Sequence, residues 1–225
     1  MAIATSSLAR QSFRNRSGFS LVEMMCVLAI ISIMASFAWP AIVGIVSGDR
    51  LSNNTYQLSD LIQQARSEAV ARHTYVWVGF QSSKDANGVP TIMVASVAGN
   101  SGMTSDLQSG NITLEAKPTT LRNVAITGAT SYTTLPGFDS SVTTTDVASQ
   151  GYSFTTSVAG NANAKFSNVI AFGPDGQVNL AQASGALTLV QCLGMGLQTA
   201  PASTKLHVAA IQVRGLSGDV SVLRQ

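Results

Sequence analysis

Ionisable side chains are scarce in this chain of 225 residues: 11% are Asp, Glu, Lys or Arg, and there are two histidines and two cysteines. That scarcity removes whole classes of chemistry. His73 sits at a helix end and His207 in a strand, with no Cys, Asp or Glu at ligand spacing, so no metal site is expected. No nucleophile motif surrounds a serine, and no glycine-rich stretch joins a strand to a helix as a phosphate cradle requires, so neither an enzyme nor a cofactor is expected. Asp85-Ala86-Asn87-Gly88 starts like a calcium loop, but the later ligands and the closing Glu are missing, which leaves a β-turn. Cys26 stands in an apolar run and Cys192 in a strand far along the chain, so they are not expected to form a disulfide; Cys192 reads as a small buried apolar residue.

Acidic residues are missing from Met1 to Gly18, where Arg10, Arg14 and Arg16 stand. From Phe19 to Trp39 the only charge is Glu23, and this run of about 21 residues meets the length of a membrane-spanning helix. The basic flank places the N-terminus in the cytoplasm and the rest of the chain outside. An ordinary signal peptide has a shorter apolar region and is cut after it; here the helical pattern continues past Pro40. A carboxylate in the apolar core costs about 2.5 to 3.5 kcal/mol at a helix centre, less near an end, and such a charge is usually paired. The plainer reading is an anchor whose Glu23 snorkels to the cytoplasmic interface.

Gly18-Phe19-Ser20-Leu21-Val22-Glu23, preceded by a basic leader and followed by the apolar run, resembles the class III signal of type IV prepilins and pseudopilins. The resemblance implies that prepilin peptidase cuts after Gly18 on the cytoplasmic face and methylates the new amine of Phe19. It also implies that Glu23 pairs with the N-terminal ammonium of a neighbouring pilin or pseudopilin, and that Pro40 interrupts the helix. Processing would then create the cation that Glu23 needs.

The formal charge of +2 falls to −1 once the three leader arginines are gone, which leaves no general nucleic-acid signature. Residues 1–18 are thus a leader, 19–39 the transmembrane half of a helix and 40–73 its amphipathic periplasmic half. In that second half Leu51, Leu58, Leu61, Ile62, Ala65 and Ala69 recur at helical spacing. Residues 74–225 read as an antiparallel β domain, the whole being α+β with the helix packed on the sheet. Strands are expected from Tyr75 to Phe80 and at 91–97, 111–115, 121–126, 152–156, 169–172, 177–180, 187–192, 206–213 and 220–223, with a long loop at 128–151.

Ala65-Arg66-Ser67-Glu68-Ala69, before the strand at Val76, is similar to the helix-to-strand junction of the GspH/FimT group of minor pseudopilins and minor pilins; Ile170-Ala171-Phe172-Gly173-Pro174-Asp175-Gly176 resembles a strand and turn of that group. Residues 81–165 match nothing there and read as insertion-like. Two residues apart on a helix, Arg66 and Glu68 do not face each other. The resemblance implies a minor pseudopilin near the tip of a type II secretion pseudopilus in the bacterial inner membrane, or, alternatively, a FimT/FimU-like minor pilin that primes a type IV pilus or touches DNA. For DNA the candidates are Lys205, Arg214 and Arg224, although the basic Gly-Arg-x-Arg motif of some FimT-type proteins is absent and Asp219 offsets the charge.

Overall fold

The computed structural model describes residues 20–149, 152–158, 161–181, 187–199 and 207–224. It divides into two compact units, Met1–Val43 and Gly44–Gln225. Helix α1 spans Leu21–Arg72, so its end agrees with the sequence expectation to within one residue. In the second unit α1 buries Leu51, Leu58, Ile62, Ala65 and Ala69, the stripe read from the sequence, with Leu61 packed at its margin. Thr55 and Ser59 are also buried on this helix; the Thr55 hydroxyl donates back to the Leu51 carbonyl at 2.7 Å, so it costs the core no unpaired polar group.

The helix stops at His73, whose φ is +53°. Its N–H donates to the Val70 carbonyl at 3.4 Å, and the Thr74 N–H to the Ala69 carbonyl at 3.2 Å. This pair of bonds satisfies the last carbonyls in a Schellman motif, with histidine in the left-handed position usually given to glycine.

The strands form two sheets, with β1 Val76–Lys84, β2 Pro90–Gly99, β3 Ile112–Leu114, β4 Thr119–Arg122, β5 Val124–Thr127, β6 Thr144–Asp146, β7 Ser153–Val158, β8 Asn161–Phe172, β9 Val178–Ala181, β10 Leu187–Leu189, β11 Cys192–Thr199, β12 Val208–Arg214 and β13 Val220–Arg224. The larger sheet has the order β10-β9-β8-β1-β2-β3, with β4 beside β2 and β7 beside β8; the smaller has the order β13-β12-β11-β5, with β6 beside β11. All pairs are antiparallel except β6 with β11. The fold is therefore α+β.

One apolar core joins the helix stripe to one face of both sheets, through Val78, Phe80 and Ile170 of the larger and Leu193, Met195 and Ile211 of the smaller. The other face of the larger sheet carries Trp77 and Val97, under Phe154 and under Leu107 of the short helix α2, Asp106–Ser109. The other face of the smaller sheet is covered by Tyr132 and Leu135. Tyr132 approaches so closely that a Cβ on Gly194 would lie 2.6 Å from its hydroxyl oxygen, so glycine is what admits the ring there. The segment expected to be a loop at 128–151 thus contains β6 and lays side chains on the smaller sheet.

Two expected strands are each cut in two. Residues 121–126 divide between β4 in the larger sheet and β5 in the smaller, because Asn123 adopts φ +62° and turns the chain from one sheet to the other. Residues 187–192 divide in the same way between β10 and β11. Residues 81–165 supply β2 through β7, including the nine-residue pairing of β1 with β2. The turn at Asp85 is as expected: its Oδ1 accepts the N–H groups of Asn87 and Val89, both at 2.9 Å, and Gly88 has φ +75°.

Candidate functional site

Glu23 lies in the first turn of α1, exposed, on a segment whose neighbours Leu21, Val22, Met24, Met25, Leu28, Ile31 and Met34 are all more than half exposed. An acid in the first turn complements the positive end of the helix dipole. Ser32 and Ser36 hide their hydroxyls by donating to the carbonyls of Leu28 and Ile33, each at 2.7 Å. The described part of this segment therefore offers its surroundings an apolar surface and one carboxylate. A helix that is apolar all round needs lipid or other helices as cover. Among the described residues no cation lies within ion-pair distance of Glu23.

Among the described residues no helix is long and apolar enough to cross a membrane. The expected span, 19–39, starts on Phe19 and ends among side chains outside the described set; the described part, 20–36, falls short of the roughly 20 residues that a bilayer requires. Gly18 and Phe19 lie outside the described residues. The expected interruption at Pro40 is not a break, because α1 continues through it. A proline removes one N–H from the ladder but holds φ near the helical value, and the adjoining turns can bridge the gap.

Of the basic residues expected at DNA, the two that are described, Arg214 and Arg224, do not share a face. Lys205 lies outside the described residues. Arg224 pairs with Ala209 at one end of the β12–β13 hairpin, whereas Arg214 closes the other end, so about five residues of strand, or roughly 17 Å, separate them. Arg224 lies over the ring of Tyr56 at 5.5 Å, and Arg214 reaches Asp139 at 4.0 Å. The two do not add to a common basic patch.

Arg66 and Glu68 diverge, as two residues two apart on a helix must. Glu68 binds Arg72 at 2.6 Å, and Arg72 Nη1 reaches Glu115 Oε1 at 2.8 Å, tying the last turn of α1 to the end of β3. Burial pushes the Glu115 carboxyl up, while Arg72 opposes that shift. Arg66 instead runs along two turns: a Cβ on Gly218 would lie 2.5 Å from Arg66 Nε, and one on Gly176 would lie 3.3 Å from it. Gly176 turns between strands of the larger sheet and Gly218 between strands of the smaller, so one side chain packs against turns of both. Sequence reasoning missed this; two glycines with φ of +79° and +67° are its only local signal. Cys192 is buried, 1% exposed, as read from the sequence.

Against this geometry, residues 13–39 match the family model of the prokaryotic N-terminal methylation motif, the class III signal of type IV pilin-like proteins. No curated protein and no solved structure matches the chain. The motif implies processing by prepilin peptidase and assembly with other pilins. It includes Gly18, Phe19 and Glu23 and stops before the segments on which the GspH/FimT resemblance rests.

Proposed function

We propose that the protein is a minor pseudopilin of a type II secretion system, cut after Gly18, methylated on Phe19, held in the inner membrane by 19–39 and assembled into the fibre through Glu23. The observation that carries this reading is the exposed apolar start of α1, whose lone carboxylate has no cation beside it among the described residues and falls inside a motif that specifies a new N-terminal amine. In lipid, an unpaired Glu23 is a standing cost; in a fibre, the methylated amine of a neighbour removes it. The work assigned to the chain is structural, not catalytic. The H-like position near the fibre tip draws on the resemblance of 65–69 and 170–176. The alternative, a FimT/FimU-like minor pilin, uses the same N-terminal machinery, but its DNA arm draws no support from arginines at opposite ends of a hairpin.

Deletion of the gene, complemented in trans, separates the two. A pseudopilin predicts that export of folded periplasmic proteins stops while surface piliation and DNA uptake persist. Lost piliation with intact export would replace this reading by the alternative.

A further inference from the structure

A cleft enclosing about 580 Å³ opens on the covered side of the smaller sheet, where the segment that carries Tyr132 and Leu135 gives way to Asp139 and Val142. Its size falls in the range of sites that take small ligands or peptide ends. Cys192 and Gln212 form part of its lining and are almost wholly buried, 1% and 5% exposed. Val142, Val190, Leu189 and Leu216 make apolar walls, the last two being 47% and 69% exposed. Arg214 stands at the same cleft with its side chain 69% exposed.

The polar groups here have capacity left. Among the described residues the Gln212 side chain makes one long bond, from Nε2 to the Asp139 carbonyl at 3.5 Å. Among the described residues Arg214 makes only the 4.0 Å approach to Asp139, beyond hydrogen-bond distance. The hydroxyl and N–H of Ser141 both donate to Oδ1 of that carboxylate and, with a smaller contribution from Arg214, hold it below its usual range, while Oδ2 is the oxygen that faces Arg214. A planar guanidinium with free donors beside branched apolar walls matches one arrangement best: a carboxylate and an aliphatic side chain on the same carbon.

We propose that this cleft captures the C-terminal end of a peptide chain of aliphatic sequence, its terminal carboxylate on Arg214, its last side chains between Leu189 and Leu216, and its last amide on Gln212. An internal Asp or Glu offers the charge without the adjoining apolar group. A fatty acid offers both but would lay hydrocarbon over the Gln212 amide and leave it unpaired, whereas a peptide backbone satisfies it. The cleft belongs wholly to the unit Gly44–Gln225, so its failure would leave the assembly reading untouched.

The test uses the full chain in detergent micelles and fluorescein-labelled Gly-Gly-Leu-Leu, once with a free carboxylate and once as the C-terminal amide, read by fluorescence anisotropy. The acid should bind about tenfold tighter than the amide, and Arg214→Gln should erase that ratio, because one charge-assisted bidentate contact is worth that much. Leu216→Ser, at an exposed position that does not threaten folding, should weaken both peptides. Equal binding of acid and amide, an acid preference that survives Arg214→Gln, or displacement of the peptide by equimolar octanoate would each overturn the proposal.

Discussion

Replacing Glu23 by Ala is expected to leave the cut after Gly18 intact and to strand the processed protein in the membrane. Alanine is the easier residue to hold in lipid, so the free subunit gains stability. The fibre loses the charge-assisted contact and keeps an ammonium that nothing neutralises. Such a contact is worth about 1.5 to 3 kcal/mol, which lowers incorporation by roughly ten- to a hundredfold. The fraction of subunit recovered in sheared fibres, against that in membranes, measures the effect. Glu23 has no other assigned partner: the described ion pairs join Glu68, Arg72, Glu115, Arg214 and Asp139. Normal incorporation of the variant would remove charge pairing from the assembly mechanism.

Gly215→Ala is expected to destabilise the β domain far more than an ordinary glycine substitution. A Cβ at that position would sit 1.5 Å from the Val190 carbonyl oxygen and 2.6 Å from its carbon, and these are backbone atoms that no rotamer change can move aside. Relief requires separating Gly215 from the link between β10 and β11. That movement strains the bond from Gly215 N–H to the Gln191 carbonyl, 2.9 Å, and with it the bond from Val178 N–H to the Gly215 carbonyl, 2.7 Å. The second of these stitches β9 of the larger sheet to the end of β12 in the smaller. Two backbone bonds and a steric clash place the loss above about 3 kcal/mol, a fall in melting temperature of roughly 6 to 12 °C for a domain of this size. Gly110→Ala is the matched control: φ is +72° and nothing lies within 4 Å of the added methyl, so only left-handed strain of about 1 kcal/mol is expected. Circular-dichroism melts of the two variants should differ clearly; similar melts would mean that the junction at Gly215 is not a fixed part of the fold.

What was legible in the sequence follows from how local each signal is. The helix stripe from Leu51 to Ala69 repeats within a few residues, and its burial matches the reading. Strands also announce themselves by local chemistry, but which sheet a strand joins is decided by partners far along the chain. Residues 121–126 and 187–192 therefore read as single strands, although Asn123 and the Val190-Gln191 link divide them between sheets. Residues 81–165 read as insertion-like because they match nothing in the GspH/FimT group; they supply β2, which pairs along the full length of β1. The N-terminal methylation motif was legible, since its parts lie within residues 13–39. The cross-links were not: Arg72 and Glu115 are 43 residues apart, and Arg66 meets Gly176 and Gly218 only once both sheets are built. Pro40 marks the opposite limit, a strong local signal for a break that the surrounding helix overrides.

The proposed assembly depends on a leader that masks an amine which Glu23 requires. Intact-mass and N-terminal fragment analysis of the protein extracted from membranes tests it directly. A chain beginning at an N-methylated Phe19, with Gly18 and all before it absent, is expected; a chain that retains Met1, or one cut after Ala38, would contradict that processing.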